Sequence, residues 1–203
     1  MKKFKIFVDM DEEEKYLNTM AKNGYILKKY NSAGFYTFEK SAPRDLHYKI
    51  DYRVFKNKSD FEQYKTLFED AGWIHVFGTK YSGGQYFLPG SDNAGSPEIF
   101  SDAESKAARY KRFLNQCSLV LAFTLIYFSA SLVSYNYNLK MVYLTPGLWE
   151  KTGADFWTAF LFETPFALLR VSPFIISVFL TVIYGYWAAK ARKLYKKGIQ
   201  SNI

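Results

Sequence analysis

"DEEEKYLNTMAKNGYI" (residues 11–26) and "SDFEQYKTLFEDAGWI" (59–74) stand forty-eight residues apart and align Tyr16 with Tyr64, Gly24 with Gly72 and Ile26 with Ile74. Upstream, the same offset lays "FKIF" (4–7) on "YRVF" (52–55). One residue more lays "GFYTF" (34–38) on "GGQYF" (83–87). Each copy reads strand, helix, strand, strand. Phe4, Ile6 and Val8 alternate with polar residues, as do Tyr52 and Val54, which is the period of a half-buried strand. Tyr16, Leu17 and Met20, then Phe61, Tyr64, Leu67 and Phe68, recur at helical spacing. Asp11 or Ser59 is expected to cap its helix, with Glu62 three residues after Ser59 completing a capping box. Gly24 and Gly72 fall where each helix ends, a position that favours a left-handed residue without a β-carbon. "NSAG" (31–34) and "SGG" (82–84) are turn-rich and close each copy with a hairpin. The expected fold class is therefore α+β. A duplicated strand-helix-strand-strand unit, repeats about 3–40 and 47–88, forms a ferredoxin-like-related sandwich in which two helices cover one face of an antiparallel sheet.

Beyond residue 90 the composition changes. The 203 residues carry a formal net charge of +8, and the mean hydropathy of -0.19 conceals two apolar segments. Residues 1–103 hold fifteen Lys/Arg against fifteen Asp/Glu, whereas residues 104–203 hold twelve against four, so the basic excess lies beside those segments. That placement favours a membrane over nucleic acid, and no direct nucleic-acid binding is expected. Residues 113–135 form an uncharged stretch long enough to cross ~30 Å of hydrocarbon. Residues 166–188 form a second, interrupted by Arg170 and Pro173. Arg109 and Arg112 precede the first, and Lys190, Arg192 and Lys193 follow the second. The 136–165 connection carries few cations. Lys and Arg are retained inside, so both termini are expected in the cytoplasm, with the cell membrane holding a two-helix transmembrane hairpin.

Tyr135, Tyr137, Tyr143, Trp149 and Trp157 would mark the outer interface, and Tyr184, Tyr186 and Trp187 the inner one. Arg170 reads as an interfacial anchor, with a ligand-sensing charge as the alternative. "DFWTAFLFETP" (155–165) is expected to lie in the outer interface as a short helix. The other possibility is an extension of the second span. Residues 91–112 read as a linker, flexible up to Pro97, then a helix from about Asp102 that runs into the first span. A basic cytoplasmic tail, 189–203, ends the chain. The apolar run after the N-terminal lysines is too short for a signal peptide.

Chemistry-bearing patterns are few. "YSGGQYFLPG" (81–90) is glycine-rich but lacks the GK[ST] ending of a phosphate loop, so a hairpin turn is expected. "DMDEEE" (9–14) suits a helix start better than a metal site, because it lacks the alternating ligands and glycine of a calcium loop. His47, in an expected strand, and His75 have no spacing that supports a metal pair. Cys117 is alone within an apolar run, which suits a small buried residue. No catalytic residue, cofactor or metal is expected.

The "FKIF" start, the Gly-aromatic-Ile phrase after a helix, and "EIFSDAESKAARYKR" ahead of a hydrophobic span together resemble the domain of unknown function 2812 family. That resemblance covers roughly residues 1–112 and implies a small membrane-anchored bacterial protein, common in Firmicutes and often encoded beside PadR-type transcriptional regulators. It carries no active site. The expected role is that of a membrane-anchored regulatory or sensory protein whose cytoplasmic domain binds a protein partner, a PadR-like regulator being one candidate. Contact candidates are Tyr36, Tyr48, Tyr52, Trp73, Tyr81 and Tyr86. The alternatives are an accessory subunit of a transporter or envelope-stress complex, and a small-ligand binder or enzyme.

Overall fold

The computed structural model describes residues 1–31, 33–90, 98–134, 136 and 138–200. The segment 91–97 expected to be a linker, and Tyr135 and Tyr137 of the expected aromatic belt, lie outside the described residues. The elements are β1 (Lys2–Phe4), α1 (Met10–Lys22), β2 (Tyr25–Asn31), β3 (Phe35–Lys40), β4 (Lys49–Tyr52), α2 (Lys58–Asp70), β5 (Trp73–Phe77), β6 (Gly84–Pro89), α3 (Ala103–Ser134) and α4 (Gly153–Gln200). The fold is α+β, followed by two long apolar helices. The chain divides into two compact units, residues 1–115 with 188–203, and residues 116–187.

In the first unit the repeat is real, and each copy closes on itself. The strands form two three-stranded antiparallel sheets, β1-β3-β2 and β4-β6-β5, rather than one. In each copy the last strand lies between the other two. The first and second strands therefore run parallel with the helix as their crossover, the split βαβ arrangement. The two helices do not share one face. α1 packs on both β2 and β4, and α2 packs on β5. Leu17 and Ala21 of α1 meet Leu27, Tyr36 and Phe38 of the first sheet and Ile50 and Tyr86 of the second in one core. α2 seals a smaller core of Phe55, Tyr64, Trp73 and Phe87. Leu67, expected on the buried stripe of α2, is 65% exposed.

The helix caps sit two residues earlier than expected, at positions that themselves align at the forty-eight-residue offset. Asp9 Oδ1 accepts from the Asp11 N–H at 3.0 Å, and Asn57 Oδ1 from the Asp60 N–H at 2.8 Å. Ser59 is therefore already helical and forms no capping box. The helix-to-strand corners match expectation. Gly24 and Gly72 have φ of +80° and +79°, and their N–H groups donate to Ala21 and Glu69 carbonyls. A β-carbon on Gly24 would also lie 2.8 Å from the Ser41 carbonyl oxygen. Gly24→Ala is expected to destabilise the first unit by about 1–2 kcal/mol or more, read as a lower urea midpoint of the full chain in micelles.

β1 is short and sits at a sheet edge. Phe4 and Ile6, expected to face inward with Val8, are 61% and 50% exposed, and only Val8 is buried. Val54, expected to alternate with Tyr52 in a strand, follows the end of β4 and is exposed. His47 precedes β4 instead of lying within a strand.

α3 starts where expected, with Asp102 Oδ1 accepting from the Ser105 N–H at 2.7 Å. α4 corrects one expectation. Residues 155–165 form no separate helix but belong to one helix of 48 residues that passes through Pro165 and Pro173. Proline at 173 leaves the Leu169 carbonyl without its helical donor, and Ser172 Oγ supplies one at 2.9 Å. Continuity is thus restored from a side chain, as happens in apolar helices.

Within the second unit, Thr181 Oγ1 donates to Thr124 Oγ1 at 3.1 Å, and Phe128 stacks on Phe174 at 5.2 Å. Glu163 and Arg170 of α4 pair at 2.5 Å. Arg170 also donates to the Val142 carbonyl, and Glu163 accepts from Thr145 Oγ1. The segment before α4 is thereby tied to the helix. In the same region Tyr143 and Phe156 stack on Phe160, with Trp149 and Trp157 packed around them edge-on or tilted. Both helices are long and apolar enough to cross a membrane, and in each only 11% of the apolar stretch is buried, unlike the core helix of a globular domain.

Candidate functional site

The acidic run at the start of α1 is the most unusual feature of the first unit. Met10, Glu13, Glu14, Leu17 and Ala21 are all buried, so two glutamates occupy the helical stripe that otherwise enters the core. Such groups are stable inside only when hydrogen-bonded or paired. Both are.

Glu14 is met by the first turns of α3. Arg109, with no exposed side-chain surface, donates to Glu14 Oε1 at 2.8 Å, to the Ile50 carbonyl at 2.7 Å and to Asp11 Oδ1 at 2.8 Å. The Ile50 N–H donates to the same Glu14 oxygen at 3.1 Å. Phe100 and Tyr110 flank the guanidinium at 5.4 and 5.1 Å. One turn earlier, Lys106 bridges Asp11 and Glu98. Tyr110 donates its hydroxyl to Asp9 Oδ1 at 2.9 Å and accepts from the Met10 N–H. One turn later, Arg112 pairs with the buried Asp51 and donates to the Tyr52 carbonyl at 2.6 Å. Asp51 in turn accepts from Tyr64 of α2. Lys190, near the end of α4, lies 3.8 Å from Glu12. Burial would raise the Asp11 carboxyl, but the charges of Arg109 and Lys106 outweigh it and hold the group below its ordinary value.

Glu13 turns the other way. Its Oε1 accepts from Tyr36 of β3 and Tyr86 of β6, both at 2.6 Å, so one carboxylate ties the two sheets together. The Tyr30 ring lies 4.8 Å from Tyr36 and 5.5 Å from Tyr86. Burial pushes the Glu13 pKa up to about 7. The two hydroxyls oppose that shift, the neighbouring Glu14 charge adds to it and Arg109 reduces it. Tyr36 and Tyr86 are in turn pushed above their ordinary values, first by burial and then by the Glu13 charge. Beside this network, a cavity of about 260 Å³ is lined by Asp9, Asp11, Lys106, Tyr110, Leu194 and Lys197, among others.

These contacts revise the residue assignments made from sequence. Tyr36, Tyr48 and Tyr86 are essentially unexposed and Trp73 is 5% exposed, so these four are core side chains with no surface for a partner. Tyr52 is half-buried and Tyr81 is 70% exposed. Arg109 is buried and Arg112 partly buried, and both pair with carboxylates of the α+β domain. They are the inner half of the contact between α3 and the α+β domain. Arg192 and Lys193 are exposed, Trp149 and Trp157 are largely exposed and Trp187 is half-buried. His47 lies beside Asp45, whereas His75 bonds Gln85 and packs on Phe61 and Phe87. Among the described residues no group of three or more His, Cys, Asp or Glu side chains could hold a metal.

The acidic run and the basic run are thus two halves of one structure, contained in a single stretch of chain from Asp9 to Arg112. A family model described as "Protein of unknown function (DUF2812)" matches residues 9–123. The chain belongs to this family. The DUF2812 match opens at the α1 cap and closes inside α3, so it takes in every partner of Glu13, Glu14 and Arg109 named above. No curated protein and no solved structure gives a match.

Proposed function

We propose that this DUF2812 protein is a two-span protein of the cytoplasmic membrane with both termini inside, and that its α+β domain is a regulatory or sensory module. The observation that carries this reading is Arg109. A buried guanidinium ties the first turns of α3, ahead of its apolar stretch, to α1. A passive anchor needs no such joint. The basic excess is partly consumed here by Asp11, Glu14 and Asp51, which supports protein and lipid as the partners in place of nucleic acid. We assign no catalytic step. A regulator of the PadR type is the partner that the family resemblance suggests, and Tyr81 and the exposed faces of the domain are where it would bind.

Two experiments test this. Impermeant maleimide on intact cells should label Lys151→Cys in a Cys117→Ser background, and should label Lys193→Cys only after permeabilisation. Equal labelling of both would refute the topology. Affinity purification in mild detergent should recover a transcriptional regulator. Recovery of none, with neighbouring transcription unchanged on deletion, would remove the regulatory role.

A further inference from the structure

The outward face of the first sheet is unusual for a sheet edge. In an antiparallel pair, residues directly opposite one another share a face. The register sets Phe4 opposite Phe35, and Lys2 opposite Thr37, which is itself opposite Lys29. The Phe4 and Phe35 rings pack at 5.0 Å, tilted by 49°, yet are 61% and 49% exposed. Ile6, half exposed, closes over the Gly34 turn beside them. Lys2 and Lys29 flank the aromatic pair on this face, and Lys3 is exposed at the same edge, whereas Lys5 turns to the other side, its ammonium over the Phe7 and Tyr16 rings at 4.8 and 4.5 Å. The one carboxylate on β3, Glu39, is engaged by Lys28 at 3.1 Å. Lysines alone would be explained as a guard against edge-to-edge aggregation. Such a guard does not call for three large apolar side chains left in solvent among them.

We propose that this face, Phe4, Ile6 and Phe35 flanked by Lys2 and Lys29, is a contact surface for an anionic phospholipid bilayer. Aromatic and aliphatic side chains enter the headgroup boundary while ammonium groups pair with lipid phosphates, the combination that holds peripheral basic-aromatic segments to acidic leaflets. The face lies outside the contacts that join α3 to α1, and goes beyond the reading of the two spans.

The test uses the full chain in nanodiscs, with Thr37→Cys in a Cys117→Ser background carrying an environment-sensitive nitrobenzoxadiazole probe at the centre of the face. Retention of the chain in discs of either composition reports on the spans; the probe reports on the face alone. In discs of phosphatidylcholine with phosphatidylglycerol, emission should move to the blue. Quenching by a headgroup-proximal spin-labelled lipid should rise at least about twofold over neutral discs. Lys2→Glu with Lys29→Glu, or high salt, should abolish the difference. Identical emission and quenching in the two discs would overturn the proposal. So would a lipid response that survives both charge reversals, or a shift produced only by an added acidic protein.

Discussion

Arg109→Met is expected to cost the first unit about 3–5 kcal/mol, because it leaves Glu14 buried beside Ile50 with its main counter-charge removed. A solvated arginine at a membrane face would cost at most about 0.5 kcal/mol on the same change. The contrast separates the two roles cleanly. Pulse proteolysis of the full chain in micelles across a urea series reads the difference as a shift in midpoint. Arg112→Met should behave alike but more mildly, since Arg112 is only partly buried and Tyr64 also donates to Asp51. Lys193→Met, on the exposed part of α4, should change little.

The second large effect concerns pH. Glu13 has a folded-state pKa raised from 4.5 to about 7, so between those values the native chain keeps a proton that the unfolded chain releases. Stability is therefore greatest at the acidic end of this window and falls as pH rises through it, by about 3 kcal/mol in all. Asp11 acts in the opposite sense. Its depressed pKa lends stability that is present above the ordinary value of 3.8 and is lost as pH falls below it. The expected profile has its maximum near pH 4–5 and declines toward neutrality. Glu13→Gln keeps an oxygen that can accept from Tyr36 and Tyr86 but has no charge to bury. In that variant the decline between pH 5 and pH 8 should shrink to less than about 1 kcal/mol. An unchanged slope would mean that another group binds the proton.

Much of the architecture was legible because it rests on local rules. The repeat, the glycine corners at 24 and 72, the start of α3 and the two apolar stretches follow from periodicity and from the backbone freedom of glycine. The pairing of strands into two sheets was not legible, because alternation tells which residues share a face and not which edge meets which. Residues 155–165 read as a separate helix because joining them to the second span gives a segment of more than about thirty residues, longer than a bilayer requires, whereas the helix does run on through Pro165. The site was hidden by a similar ambiguity. Asp, Glu and Glu at a helix start satisfy the helix dipole, and Lys and Arg before a span satisfy the rule for membrane orientation, so each run had a sufficient local explanation. Spacing held the missing signal. Glu13 and Glu14 fall three to four residues from Met10 and Leu17, on the buried stripe, and Lys106, Arg109, Tyr110 and Phe113 share one face of α3.

A double-mutant cycle on Arg109 and Glu14 reads the buried charge pair that joins α3 to α1. Each single change to Met should destabilise strongly, whereas the double change should recover most of the loss. The coupling energy should exceed about 2 kcal/mol, because two apolar side chains of similar length can fill the space that the ion pair occupies. Single losses that simply add, to within about 0.5 kcal/mol, would show that Arg109 and Glu14 are not coupled.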